Sequence, residues 1–250
     1  LEQELGVALP GAARLTRVED LGGLVARSAS VWDEVVDEHR WVIKANFGMA
    51  ARERLLGRGS QLSESSNRWL QRRLAADGAV FFEPWRPRRD EVGIQWEIPQ
   101  PGGGSPQWMG VTPLFTGPGG EYRGSEFSWL ESIPPHWERA VAVTEQVAVR
   151  LQQLGYFGPL GIDAAIYEAA NGHTIERPLQ DINARFTMGR LALGLRRRLR
   201  PNEQGLWWHG RADETPPTLE GTTREIPFAP KLVGSRPPTH VSRLLIRRSA

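Results

Sequence analysis

The sequence predicts an α+β fold, and three observations carry that reading. Strand-like segments and segments of helical periodicity follow one another along 250 residues without an internal repeat. An Asn171-Gly172 dipeptide joins two strand-like segments directly, as in an antiparallel hairpin. Glycine (27) and proline (19) together exceed their average share of about 12%, which breaks the chain too often for a helical bundle.

The elements follow in order. Residues 1–37 read as a helical lead-in: a short helical start, a Pro10-Gly11 turn, and a helix over 18–27 with Glu19 and Asp20 in its first turn. Residues 40–45 (RWVIKA) are a compact strand that runs into a glycine-punctuated stretch, 46–59, carrying Gly48, Gly57 and Gly59. A helix over 60–77 buries Leu62, Trp69, Leu70 and Leu74 and stops at Gly78. Residues 79–83 (AVFFE) form the next strand, ended by Pro84 and Pro87, which supply no ladder donors. Strands over 92–98 and 108–115 precede a helix over 134–154 whose buried stripe is Trp137, Val141, Ala148 and Leu151. Strands over 161–169 and 174–183 flank the Asn-Gly turn, an arginine-studded helix covers 188–199, and beyond Pro201 the pattern weakens into proline-rich loops.

Composition excludes several classes. With 40% hydrophobic residues the chain can bury a sizeable core. No apolar run reaches 18 residues, and Glu2 and Glu4 stand where a signal peptide needs positive charge, so the expected setting is soluble and cytoplasmic, without a membrane partner. The absence of cysteine rules out disulfides, thiolate-ligated metals and a thiol nucleophile. A net charge of +2 argues little for nucleic acid. Of the 31 basic residues only Lys44 and Lys231 are lysine, so a lysine here is a chemical choice. The chain begins at Leu1, which is expected if it belongs to something longer. A P-loop, G-x-S-x-G and H-E-x-x-H are missing, Gly57-Arg58-Gly59 lacks the third glycine of a dinucleotide fingerprint, and the five histidines lack ligand spacing.

What remains is a set of oxygen and cation donors on strands. Asp163 lies on one strand, and Asp181 and Asn183, two apart, share a face of the next. Magnesium takes few protein carboxylates and keeps positions for water and phosphate oxygens, so this set suits it, with Arg185 adding charge for phosphate. A two-residue turn would pair Asp163 with Gln180 and turn Asp181 away; a three-residue loop or a bulge near Pro178 brings Asp163 opposite Asp181, and that shift is expected. Without it, the three are solvent-face polar residues. Lys44 ends an apolar strand before a glycine-bearing loop, placed to hold a point charge over phosphates. Glu83 closes an apolar strand at a proline-rich exit whose backbone can read an adenine edge.

Taken together, residues 41–48 (WVIKANFG), 80–86 (VFFEPWR), 161–163 (GID) and 181–187 (DINARFT) resemble the ATP-grasp superfamily in residue type, order and spacing, over about residues 1–199. The resemblance implies two α/β subdomains whose antiparallel sheets sandwich ATP: a small lid over 38–84 that closes on a larger sheet subdomain over 85–199, with 1–37 leading in and 200–250 an unassigned extension. It implies an ATP-dependent ligase that makes an acyl phosphate from a small carboxylate for attack by an amine or another nucleophile. The cofactors would be ATP with Mg²⁺, or Mn²⁺ in its place.

Carried over by residue, the resemblance gives Lys44 the α/β-phosphates and Gly48 the mobile phosphate-covering loop. Glu83, Trp85 and Arg86 would form the adenine hinge, and Asp90 or Glu91 would take the ribose hydroxyls. Asp163, Asp181 and Asn183 would hold the metal, and Arg185 would steady the transferring phosphoryl group. Three features depart from the family: Asp181 stands where a glutamate is usual, Pro178 interrupts the ligand strand, and the domain that normally precedes this region is absent and would come in cis or in trans. Two other readings compete. One is a domain of this kind that binds nucleotide without catalysis. The other is a stacking surface for carbohydrate or single-stranded nucleic acid, with Trp207 and Trp208 as its best pair among ten tryptophans, although Trp41, Trp69, Trp96 and Trp137 fall on apolar periodicities expected to be buried.

Overall fold

Two antiparallel sheets organise the computed structural model, which describes residues 1–46, 53–117, 120–129, 133–168, 174–216, 221–228 and 230–248. The first compact unit is Leu1–Arg89 together with Ile166–Arg177; the second is Asp90–Ala165 with Pro178–Ala250. Among the described residues, no helix is long and apolar enough to cross a membrane.

The first unit contains, in chain order, β1 (Ala13–Leu15), α1 (Leu21–Val31), β2 (Arg40–Lys44), β3 (Arg54–Arg58), α2 (Glu64–Asp77) and β4 (Val80–Pro84). Its sheet runs β1-β4-β2-β3. Trp41, Ile43, Val80 and Phe82 alternate onto one face and meet Leu21, Leu24 and Val25 of α1 and Leu70 of α2 in a single apolar cluster. The Ser63 hydroxyl caps α2 by accepting from the Ser66 amide, and Gly78 ends it in the left-handed region at φ 70°.

Two sequence expectations change here. Residues 1–37 are not wholly helical, because β1 adds a three-residue edge strand to β4, too short to show a period. The 46–59 stretch is not all loop either, since β3 pairs with β2 along its length. Gly57 belongs to that strand: a Cβ there would lie 2.0 Å from the Trp41 ring, whose Nε1 donates to the Gly59 carbonyl at 2.8 Å. Glycine is required at Gly57 by the close approach of an indole.

The remaining elements are β5 (Arg88–Ile98), β6 (Gln107–Thr116), β7 (Tyr122–Ser128), α3 (Glu138–Gln153), β8 (Gly158–Glu168), β9 (Thr174–Asn183), α4 (Met188–Leu195), β10 (Glu203–Arg211), β11 (Thr222–Pro227) and β12 (His240–Arg248). They form an eight-stranded sheet in the order β11-β12-β10-β7-β6-β5-β8-β9. Helix α3 buries Ala140, Val143 and Val147, and its Thr144 hydroxyl accepts from Trp96 Nε1 of β5 at 3.0 Å. The Asn171-Gly172 turn lies outside the described residues.

Residues 200–250, expected as loops, instead supply β10, β11 and β12. Their prolines fall mostly between strands, and the apolar signal is split between two clusters. Phe127, Leu244 and Ile246 pack with α4 on one side, while Leu206, Trp208 and Leu245 gather in the other.

Candidate functional site

In the first unit, strand alternation separates core from site. With Trp41, Ile43, Val80 and Phe82 facing the core, Val42, Lys44, Phe81 and Glu83 share the opposite face. Val42 pairs with Glu83 and Lys44 with Phe81, so Lys44 is the diagonal neighbour of Glu83, a separation two long side chains span. Lys44 Nζ lies 2.9 Å from Glu83 Oε2.

A second cation reaches the same carboxylate. Arg177 of β9, only 2% exposed, donates from Nη1 to Glu83 Oε2 and from Nη2 to Glu83 Oε1, each at 2.8 Å. On its other side it donates from Nε (3.2 Å) and Nη2 (2.9 Å) to Glu2 Oε1. Burial by itself pushes the Glu83 carboxyl up; the charge of Lys44, then the hydrogen bonds and charge of Arg177, outweigh it and hold the group at about 2. Burial likewise opposes the Arg177 cation, and Glu83 and Glu2 more than offset it.

The expected adenine hinge follows Glu83. The Trp85 amide donates to the Arg40 carbonyl at 2.8 Å, and the guanidinium groups of Arg54 and Arg88 stand 5.6 and 5.1 Å from the Trp85 ring centre. Arg86 pairs with Glu34 and lies 4.7 Å over the Trp32 ring. Glu34 is in turn 2.7 Å from His39 Nδ1, whose Nε2 is 3.0 Å from the Ser28 hydroxyl. The Arg86 side chain thus ties the strand exit to the segment that follows α1. Gly48 lies outside the described residues.

In the second unit, Asn183 Nδ2 donates to Asp163 Oδ2 at 3.3 Å, and Arg185 Nη2 donates to Asn183 Oδ1 at 2.7 Å. The loop carrying Arg185 is seated by Thr187, which caps α4, donates to Gln95 Oε1 at 2.7 Å and packs over Gly161, where a Cβ would sit 2.4 Å from its methyl group. Asp163 is partly buried, whereas Asp181 and Arg185 are exposed. Burial, then the charges of Asp181 and Glu91, raise Asp163 to about 7, against the Asn183 hydrogen bond and the Arg185 charge. Glu91 accepts from Thr116 Oγ1 at 2.9 Å and from Gln180 Nε2 at 2.7 Å; Asp90 is exposed.

Carboxylate and amide oxygens are the donor types a hard divalent cation such as magnesium takes. The charges of Asp181 and Glu91 both bear on Asp163 with Arg185 as the cation that opposes them, a charge excess that a hard divalent cation would relieve. Among the described residues, no group of three or more His, Asp or Glu side chains is placed to hold a metal ion.

Sequence reasoning missed Arg177, which reaches Glu83 from far along the chain, and Glu2, which accepts from Arg177, as well as the electrostatic part of Glu91. The stacking-surface reading fails at its best pair. Trp208 is buried in an apolar cluster, and Trp207 packs beside Phe127 and Leu244 while donating to the Ser242 hydroxyl at 2.5 Å.

No family model matches the sequence, and neither does any curated protein. Solved structures do match. The chain superposes on an ADP complex of PurK, N5-carboxyaminoimidazole ribonucleotide synthetase, with TM-score 0.54 and 13% identity, covering 97% of this chain and 64% of that one. The synthetase of the same name from Thermus thermophilus gives 0.56 and 17% over 99% and 65%. Biotin carboxylase from Campylobacter jejuni, solved with β,γ-ATP, gives 0.59 and 12% over 99% and 60%. The chain has the ATP-grasp fold. It spans between 60% and 65% of the length of these three structures.

Proposed function

We propose that this chain is the nucleotide-binding portion of an ATP-dependent ligase that activates a small carboxylate for attack by an amine or another nucleophile. The observation that carries the reading is the Lys44–Glu83 pair at 2.9 Å beside a hinge-like strand exit, on a fold some of whose solved neighbours were crystallised with ADP or ATP.

In this reading Lys44 contacts the α/β-phosphates, Gly48 belongs to the loop that covers them, and the backbone from Glu83 through Trp85 and Arg86 reads adenine. Asp90 or Glu91 takes the ribose; Glu91 accepts from Thr116 and Gln180. Asp163, Asp181 and Asn183 would hold Mg²⁺, for which Mn²⁺ could substitute; the ion would offset phosphate charge. Arg185, which donates to Asn183, would steady the transferring phosphoryl group.

The chemistry is positioning and charge neutralisation. A carboxylate oxygen of the substrate attacks the γ-phosphorus, the bond to the β,γ-bridging oxygen breaks, and ADP leaves. The amine nitrogen then attacks the acyl carbon, the acyl carbon–oxygen bond breaks to release phosphate, and the nitrogen sheds a proton. The rest of the carboxylate and amine sites falls to a further domain, in cis or in trans.

Hydroxylamine tests the first step, because it traps an acyl phosphate as a hydroxamate. Incubation with Mg-ATP, hydroxylamine and a panel of small carboxylates is expected to give ADP and hydroxamate in equal amounts for one class of acid. ADP formation that ignores the acid contradicts the ligase reading.

A further inference from the structure

Glu83 is shared between two cations of unequal burial. Lys44 is 33% exposed along its side chain, Arg177 only 2%, and the carboxylate between them 11%. Arg177 grips both oxygens of Glu83 through its planar fork, whereas Lys44 holds one of them. Without Arg177, Lys44 would be locked to Glu83, since leaving would strand a buried carboxylate with no counter-charge. With Arg177 in place the carboxylate stays compensated whether or not Lys44 remains.

We infer that Arg177 is a positioning residue for nucleotide binding: by carrying the charge of Glu83, it releases the Lys44 ammonium to leave that carboxylate and engage phosphate. The inference rests on the reading of Lys44 as a phosphate contact. Glu2 completes the device from the other side. It accepts from Nε and Nη2 of Arg177, so the guanidinium is held in plane by acids at both edges and stays with Glu83 when Lys44 moves. The four charges, two of each sign, balance, so the cluster carries no net charge.

The test compares dissociation constants for Mg-ADP and for adenosine, using the full chain. Adenosine reports the hinge and the fold; the ratio of the two constants reports the phosphate contacts. The wild type is expected to prefer Mg-ADP. Arg177→Leu is expected to shrink that preference by about tenfold, the size of one charge-assisted contact, with adenosine affinity retained. Arg177→Lys, which keeps the charge but not the fork, falls between them and serves if the leucine variant is poorly folded. Adding Glu83→Gln to Arg177→Leu removes the trap for Lys44 and is expected to restore most of the preference, which a merely structural role for Arg177 would not do. A wild-type preference in both Arg177 variants overturns the inference while leaving the Lys44 reading intact. A wild type that binds Mg-ADP no better than adenosine overturns the Lys44 reading and the inference with it.

Discussion

Arg177 donates from both terminal nitrogens to the carboxylate of Glu83, each at 2.8 Å, although 94 residues separate them in the chain. With the charge of Lys44, this contact keeps ionised a carboxylate that burial alone would protonate more readily.

Acid stability follows from it. Glu83 is held at about 2 against an ordinary value of 4.5. A depressed folded-state value stabilises the fold at pH above the ordinary value, and that contribution drains away as the pH falls from about 4.5 towards 2. The amount is on the order of 3 kcal/mol. Urea midpoints measured between pH 6 and 2.5 are expected to fall more steeply for the wild type than for Glu83→Gln, and parallel curves would contradict this.

Gly57→Ala forces a methyl group into the Trp41 ring, against which a Cβ would lie 2.0 Å away. The expected loss is about 1–3 kcal/mol, as for other overpacked cores. It should appear as a lower melting temperature and a changed tryptophan near-ultraviolet signal. Gly78→Ala is the control, since a Cβ there meets nothing and only the φ of 70° is penalised.

Arg86→Ala is expected to act on stability and not on nucleotide preference. The guanidinium is engaged by Glu34 and the Trp32 ring, and its loss leaves Glu34 with its contact to His39. The cost should be roughly 2–3 kcal/mol for a partly buried pair. Chemical denaturation reads the first quantity, and the ratio of Mg-ADP to adenosine affinities should stay at the wild-type value.

Asp163→Asn removes one member of a repelling set that includes Asp181 and Glu91. In EDTA at pH 8 the variant is expected to melt a few degrees above the wild type, by roughly 1–2 kcal/mol. Any stabilisation that Mg²⁺ gives the wild type should be lost. A variant that melts lower in EDTA and keeps the Mg²⁺ response would contradict the assignment.

Part of this architecture was legible in the sequence because it is local. The runs at 40–45 and 79–83 alternate around Trp41, Ile43, Val80 and Phe82, so the strands that carry Lys44 and Glu83 could be read directly. The spacing of Asp181, Asn183 and Arg185 could be read in the same way. What escaped was long-range or weakly patterned. Arg177 and Glu2 are ordinary charged residues until folding brings them together across 175 positions. Gly57 reads as a loop breaker unless the Trp41 ring above it is seen. In β12 only Leu244, Leu245 and Ile246 are buried, too short a run to mark a strand against the prolines around it. The Asn183 amide could be assigned to a metal but not to the bridge it makes from Arg185 to Asp163.

The most direct test of the central claim is the thermal shift given by a non-hydrolysable ATP analogue with Mg²⁺, for the wild type beside Lys44→Ala and Asp181→Ala. At ligand about 100-fold over Kd the wild type should rise by about 5–10 °C. Lys44→Ala should lose most of that rise with or without metal, and Asp181→Ala should lose only its Mg²⁺-dependent part. A wild type that does not shift, or shifts equally in both variants, would contradict nucleotide binding through these residues.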